Sequence, residues 1–307
     1  MSLQPIALSI KMILILIKIQ KQVLRYSFLH TAFFTACFSI FALLLSGCGK
    51  ENAVPAYVHI PSFSLTTKSG EGSNAHKITD AWVYIDGQIN GVFQMPVTLP
   101  IVELGQHEIT VFAGIRNNGT RSNPIINPFF ESYKISINLK AGKVDTLRPT
   151  TAYIVNTQFK MMENFETGNI FTVDRDNNTT LRFTNVENGF EGKSGQIVLT
   201  KSNPIMEKAT SVKAQLSDSA ENIYLEMNYK TEAELSIGLV GSDNVGEVSI
   251  IKITLFPNKE WNKTYINLTN EAKDLKKKDF QIVFRSLLPD ALSTATILID
   301  NVKLIQK

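Results

Sequence analysis

Alternating apolar and polar residues recur along most of the chain beyond about residue 57. Three runs show this alternation clearly, at Ala81 to Ile85, His107 to Phe112 and Tyr133 to Leu139. β-Branched and aromatic residues fill these runs, and turn-forming pairs such as Asp86-Gly87 and Asn90-Gly91 separate them. A period of two is typical of half-buried strands, so the sequence predicts an all-β fold of two β-sandwich domains.

The segment before these strands has a different pattern. Residues Ala32 to Leu45 form an almost uninterrupted apolar run, which basic residues precede and Ser46 and Gly47 follow. The run is shorter than the ~20 residues that cross a bilayer. Its order of basic, apolar and small residues indicates a removable export signal over residues 1–47. The alternative is an uncleaved membrane helix.

The end of this signal, Leu45-Ser46-Gly47-Cys48, resembles the lipobox of bacterial lipoproteins. The resemblance implies cleavage between Gly47 and Cys48, a diacylglycerol on the Cys48 thiol and an acyl chain such as palmitate on the new amino terminus. Such an anchor holds a protein on a membrane almost permanently. The charged tether over residues 48–56 resembles the export tags of Bacteroidetes surface lipoproteins, which implies an outer-membrane location.

The charge balance changes once the signal is set aside. The whole chain has 31 basic and 28 acidic residues, and four of the basic ones lie in residues 1–47. The remainder, with 27 basic and 28 acidic residues, is nearly neutral. This balance gives no support to a nucleic-acid partner. Beyond Cys48 the chain has no cysteine, so neither a disulfide nor a cysteine zinc site is expected there.

Residues 57–155 carry the motif Trp82 to Gly87, then Pro96 and Pro100, then Gly105-Gln106-His107. This order resembles the PEGA-type surface domain, which implies a small, non-catalytic β-sandwich. Asp86-Gly87 predicts a tight hairpin turn, because both residues tolerate positive φ. The segment from Gly114 to Phe130 is longer than the resemblance requires. It is either a partner-binding loop or a loop whose aromatic side chains pack back onto the sandwich.

Residues 163–307 resemble the galactose-binding-like jelly rolls of carbohydrate-binding modules. The resemblance rests on the opening Glu163 to Gly168, on Gly192 to Leu199, on Trp261 to Leu268 and on the closing Ala295 to Leu304. It implies a structural calcium ion held by Glu166 and Asp300, since hard cations prefer oxygen ligands. The alternative is that both carboxylates are solvated. One short helix is predicted near Asn270 to Lys278.

Candidate sugar contacts in this domain are aromatic. Trp261 is either a core residue or a ring that grips sugar. Tyr224 and Tyr229 alternate with apolar neighbours and are candidate contacts if their rings face outward. The three histidines after residue 48, His59, His76 and His107, have no partner at metal-ligand spacing, and no nucleophile motif is present. We therefore expect that the protein is not an enzyme.

Three functions follow in order of expectation. The first is a non-catalytic envelope lipoprotein whose anchor tethers β-modules near a protein or envelope partner. The second is a glycan-binding surface lipoprotein that uses the jelly roll. The third is a carbohydrate-active enzyme, which would need two carboxylates roughly 5–10 Å apart in one cleft.

Overall fold

The computed structural model describes residues 54–307 except 121, 178–180 and 188, and before them only residues 20, 21 and 35, which are helical. The predicted cleavage site and lipid-bearing residue, Gly47 and Cys48, lie outside the described residues, as does nearly all of the predicted signal. In the part of the chain that is described, no helix combines the length and apolar character needed to cross a membrane.

Residues 55–155, here called the N-terminal region, form ten strands in three sheets. The largest sheet has the order β4-β3-β6-β7, with β8 also paired to β6, and the smaller ones have the orders β5-β1-β9 and β10-β2. The strands are β1 (Ala56–Ile60), β2 (Ser64–Thr66), β3 (Asp80–Ile85), β4 (Gln88–Gln94), β5 (Val97–Ile101), β6 (Gly105–Arg116), β7 (Pro124–Ile126), β8 (Tyr133–Leu139), β9 (Val144–Thr146) and β10 (Thr150–Ala152).

These sheets pack around one hydrophobic core, to which β1, β3 and β6 contribute Val58, Val83 and Val111. The hairpin between β3 and β4 turns at Asp86 and Gly87, whose φ angles are 49° and 79°. A two-residue hairpin turn of this kind needs positive φ at both positions, so the turn predicted from Asp86-Gly87 is confirmed.

Residues 158–307, here called the C-terminal region, form two six-stranded sheets. The front sheet has the order β13-β14-β22-β17-β20, with β11 on β22, and the back sheet has the order β12-β15-β21-β18-β19, with β16 on β21. The elements are β11 (Gln158–Glu163), β12 (Val173–Asp174), β13 (Thr184–Glu187), β14 (Lys193–Thr200), β15 (Ile205–Ala209), β16 (Ala214–Gln215), β17 (Ile223–Thr231), β18 (Leu235–Ser242), β19 (Glu247–Leu255), β20 (Asn258–Asn267), α1 (Thr269–Leu275), β21 (Asp279–Leu287) and β22 (Thr294–Gln306).

The two sheets of the C-terminal region enclose a second hydrophobic core. Leu225 of β17 and Ile297 of β22 face this core from the front sheet, and Leu239 of β18 and Ile282 of β21 face it from the back sheet. The all-β fold class and the packed-sheet architecture predicted from the sequence are therefore confirmed. The helix predicted near Asn270 to Lys278 is α1, the only helix within the described part of residues 54–307.

The outer face of the front sheet is covered by the N-terminal region. Tyr224 of β17, Tyr265 of β20 and Ile305 of β22 belong to the hydrophobic core of that region. Residues Pro55–Lys307 together form one compact unit. The boundary between domains at residues 57–155 and 163–307 stays a prediction.

Candidate functional site

A cavity lies where the N- and C-terminal regions meet, and we call it the cleft. Its volume is about 1260 Å³. Residues 77–120 supply one wall and residues 229–265 supply the other wall and the floor. A volume of this size accommodates a ligand of several rings.

The N-terminal wall is built on the ends of three neighbouring strands. Asp80 begins β3 and is paired in register with Gln94 at the end of β4, while Arg116 ends β6. The Arg116 guanidinium donates to the buried Asp80 carboxylate at 2.8 Å, which fixes the direction of the arginine. Asn118 lies beyond β6, and its backbone amide donates to the carbonyl of Tyr265 at 2.9 Å. This wall is therefore tied directly to β20.

The opposite wall is the turn between β19 and β20. Phe256 lies in this turn with 71% of its surface exposed, and Pro257 follows it. Asn262 of β20 donates from its side-chain nitrogen to the Tyr229 hydroxyl at 2.9 Å and accepts a hydrogen bond from the Lys77 ammonium. The wall thus combines a solvent-exposed aromatic ring with amide and hydroxyl groups that are held in place.

The floor of the cleft contains Lys263, which is only 5% exposed. Its Nζ lies 3.6 Å from Oε2 of the buried Glu226 and makes no hydrogen bond within the described residues. Burial lowers the pKa of Lys263, and the Glu226 carboxylate opposes this shift. Beside it, the Tyr265 hydroxyl accepts from the backbone amide of Lys77 at 2.9 Å, and burial raises the pKa of this tyrosine.

Behind the floor, a buried polar cluster joins the two regions. The Tyr153 hydroxyl donates to Glu226 Oε2 at 2.9 Å and accepts from Lys303 Nζ at 3.3 Å. Lys303 also donates to the carbonyl of Ser73 at 2.6 Å. Burial lowers the pKa of Lys303 to about 8. These contacts cross from β17 and β22 to the N-terminal region, so they fix the floor relative to the wall.

Two of the predicted sugar contacts do not face outward. Tyr224 is 2% exposed, packs edge to face on Phe129 at 5.5 Å and donates to the Asn117 side chain at 3.2 Å. Burial raises its pKa to about 12. Tyr229 is 6% exposed, although its ring does line the cleft. The expectation that these rings face outward is wrong, because the N-terminal region covers one face of β17 and the back sheet covers the other.

Trp261, the third predicted contact, lies outside the cleft. It is half-buried, and its ring meets that of Phe190 edge to face at 5.8 Å. A role for Trp261 in sugar binding stays a prediction.

The predicted calcium residues, Glu166 and Asp300, both accept hydrogen bonds from backbone amides within residues 191–193. Glu166 accepts from the backbone amide of Lys193 at 2.8 Å, and Asp300 accepts from that of Glu191 at 3.0 Å. Burial raises the pKa of Asp300 to about 6. Among the described residues, no group of three or more His, Cys, Asp or Glu side chains converges on a point that could hold a metal ion. Calcium binding stays a prediction.

Each of the three histidines has its own separate contacts. His59 Nδ1 lies 2.9 Å from the Thr98 hydroxyl, and His107 Nδ1 lies 2.6 Å from the Asp86 carboxylate. Burial and the nearby charge of Lys263 lower the pKa of His76.

The segment from Gly114 to Phe130 carries two aromatic side chains at its end, Phe129 and Phe130. Both are buried, so this segment packs back onto the sandwich.

Sequence reasoning missed most of the cleft. Lys77, Arg116 and Phe256 carried no motif, and Lys263 looked like an ordinary strand residue beside Trp261. The exposed Phe256-Pro257 turn was the only local signal, since a large apolar ring in a polar turn is unusual. The rest depends on packing between segments about 150 residues apart, which no local pattern reports.

Comparison with known proteins finds structural similarity at low sequence identity. No family model matches the chain, and no curated protein matches its sequence. A family 30 carbohydrate-binding module of a cellulosomal cellulase of Clostridium thermocellum is similar with 12% identity and a TM-score of 0.36, over 49% of this chain and 97% of the module.

Two further modules give comparable values. The CBM22-2 xylan-binding domain from Paenibacillus barcinonensis is 13% identical with a TM-score of 0.35, over 48% of this chain and 99% of that domain. A family 11 carbohydrate-binding module of a Clostridium thermocellum cellulosomal cellulase is 13% identical with a TM-score of 0.34, over 50% of this chain and 96% of the module. This chain is thus similar to β-sandwich modules that bind carbohydrate, at TM-scores below 0.5.

Proposed function

We propose that this chain is a non-catalytic glycan-binding lipoprotein, anchored to the outer membrane through Cys48, which takes its ligand in the cleft. The observation that carries the proposal is the lining of the cleft. An exposed ring, Phe256, stands beside hydrogen-bonding groups from Asn262, Tyr229 and Gln94. Sugar rings present C–H faces that pack on aromatic rings and hydroxyl groups that bond to amides, so this combination suits a glycan.

The rigidity of the lining supports the same reading. Asn262 is held by Tyr229 and Lys77, and Asn118 is held by backbone contacts to β20. Polar groups that are already fixed lose little conformational entropy when a ligand binds. The anchor supplies the location, since a lipid on Cys48 would keep the cleft at a membrane surface and raise its effective concentration near envelope polysaccharide.

The test is a glycan array with the full chain purified in detergent, followed by calorimetric titration of the best ligand. We expect Phe256→Ala to weaken binding at least tenfold, because the exposed ring supplies stacking area and is not needed by either core. Trp261→Ala is the matched control, since this ring lies outside the cleft, and we expect less than a twofold change.

Three results would contradict parts of the proposal. Loss of binding in Trp261→Ala but not in Phe256→Ala would move the site away from the cleft. Absence of any glycan ligand, together with capture of one envelope protein, would favour a protein-tethering role. Unchanged acyl labelling and membrane fractionation in Cys48→Ala would remove the anchor.

A further inference from the structure

The charged side chains that line the cleft are all basic. They are Lys77 and Arg116 on the N-terminal wall and Lys263 on the floor, and no described lining residue is Asp or Glu. Arg116 is paired with Asp80 and Lys77 bonds to Asn262, so both side chains have partners already. Lys77, Arg116 and Lys263 nevertheless line one cavity that has no acidic residue in its described lining, and this favours an anionic ligand there.

Lys263 is the group whose surroundings are incomplete. An ammonium group has three N–H donors, and leaving them unbonded in a buried position is costly. The Nζ of Lys263 has no hydrogen-bond acceptor among the described residues. Its nearest carboxylate oxygen, Glu226 Oε2, is 3.6 Å away and already accepts the Tyr153 hydroxyl at 2.9 Å. At 3.6 Å the Glu226 carboxylate is an ion-pair partner of Lys263, but it is too far away to accept a hydrogen bond from Nζ.

A second buried polar atom beside the cleft is also unpartnered. Thr264 follows Lys263 in β20, and its hydroxyl makes no hydrogen bond within the described residues. Buried polar groups are almost always bonded to protein, water or ligand. Both residues line the cleft, although consecutive strand residues point to opposite faces, so each of them separately lacks an acceptor oxygen that a ligand would supply.

We infer that the glycan bound in the cleft is acidic, and that a carboxylate or sulfate group on one of its sugars pairs with Lys263 at the floor. Lys77 and Arg116 contact the same or a neighbouring anionic group from the wall. This inference rests on the proposed function and narrows its ligand class. Charge-assisted hydrogen bonds are stronger than neutral ones, so the anionic group would add affinity beyond ring stacking.

The decisive comparison keeps the sugar and changes only its charge. The full chain in detergent is titrated with oligogalacturonate and with the same oligomer after methyl esterification of its carboxyl groups. A sulfated galactan oligomer and its desulfated form make the second pair, which separates carboxylate from sulfate as the source of the anion. We expect the charged form of at least one pair to bind at least tenfold more tightly at low salt, with the preference falling as salt rises.

Variants place the effect in the cleft. Lys77→Gln removes an exposed charge, and we expect it to reduce the preference for the charged oligomer from tenfold or more to below threefold. Lys140→Gln removes an exposed charge beyond the end of β8, outside the cleft, and should leave the preference unchanged. Lys263→Gln combined with Glu226→Gln removes the buried ammonium together with its nearest carboxylate, and it should abolish the preference.

The outcomes separate the two proposals. Equal binding of charged and neutral forms, with loss in Phe256→Ala, overturns the acidic ligand and leaves glycan binding in place. A preference that survives both Lys77→Gln and the double variant overturns the assignment to this cleft. If none of the four oligomers binds while neutral glycans of other composition do bind, the acidic ligand is also overturned. No glycan binding of any kind overturns the proposed function itself.

Discussion

Asp86 has two structural roles in the N-terminal region. Its φ of 49° shapes the β3–β4 turn, and its carboxylate reaches across to β6. One oxygen lies 2.6 Å from His107 Nδ1, and the other accepts from the backbone amide of Glu108 at 2.8 Å. The Asp-Gly turn and the Gly-x-His strand start, two separate motifs in the sequence, are thus parts of one contact.

This contact predicts a pH effect. The hydrogen bond that the Asp86 carboxylate accepts from His107 raises the pKa of this histidine above 6.5, so the folded protein holds the histidine proton more tightly than the unfolded chain does. The resulting stability is fully present below pH 6.5 and is lost as the pH rises through the raised pKa. Asparagine still tolerates positive φ, so Asp86→Asn keeps the turn. We expect this variant to lower the His107 pKa and to remove the loss of stability at rising pH.

The measurement is a proton NMR titration of His107, with urea unfolding at several pH values between 6 and 8. Asp145→Asn, on β9, is the control, because it removes another carboxylate of the N-terminal region without contact to His107. An unchanged His107 pKa in Asp86→Asn would show that the contact does not form in solution.

Strand β17 shows why an element read from sequence alone was placed correctly but oriented wrongly. The sequence offered Tyr224 and Tyr229 as outward-facing rings, although residues five apart in a regular strand point to opposite faces. In the structure both faces are covered, and every residue of β17 except Lys230 is buried. Period-two alternation identifies a strand but does not report whether a second layer covers its polar side. Here that layer is the N-terminal region.

Strands β18 and β19 depend on a glycine that no motif marked. The register shifts by one residue at Gly238, so Lys252 of β19 bulges out and donates to Glu271 of α1 at 2.7 Å. A Cβ at Gly238 would collide with the backbone carbonyl oxygen of Ile250. The bulge therefore requires close approach of the two backbones, which only glycine allows.

We expect Gly238→Ala to lower the free energy of unfolding by about 3 kcal/mol, since a backbone carbonyl cannot move aside as a flexible side chain would. Gly168→Ala is the matched control, because a Cβ there meets no atom within 4 Å. Urea denaturation of both variants measures the difference. Equal stabilities would mean that β19 can shift to another register at little cost.

At the scale of the whole molecule, sequence reasoning found the parts but not their assembly. The strands, the β3–β4 turn and the all-β class follow from local patterns, because side-chain alternation and turn chemistry act over a few residues. The cleft does not, since Arg116 and Lys263 meet only after two separately patterned regions have docked. The basic lining was likewise hidden in a nearly neutral composition.

The docking of the two regions buries charge as well as apolar surface. Tyr153 of the N-terminal region bonds to Glu226 of β17 and accepts from Lys303 of β22, and all three side chains are buried. If the regions separated, Glu226 and Lys303 would gain water, but Tyr224 and Tyr265 would lose their apolar surroundings. Burial of these rings favours the docked state, so we expect the regions to unfold together.

One hydroxyl between the two regions tests this coupling. Tyr153→Phe removes one hydroxyl that serves both Glu226 and Lys303, and the loss of buried hydrogen bonds of this kind costs about 1–3 kcal/mol. Scanning calorimetry of the full chain should show one transition for residues 55–307 in both proteins, shifted downward as a whole in the variant. Tyr133→Phe, on β8 away from the boundary, should leave it in place. Two transitions, of which only one shifts in Tyr153→Phe, would mean that the regions fold independently and that the cleft is a contact between separate domains.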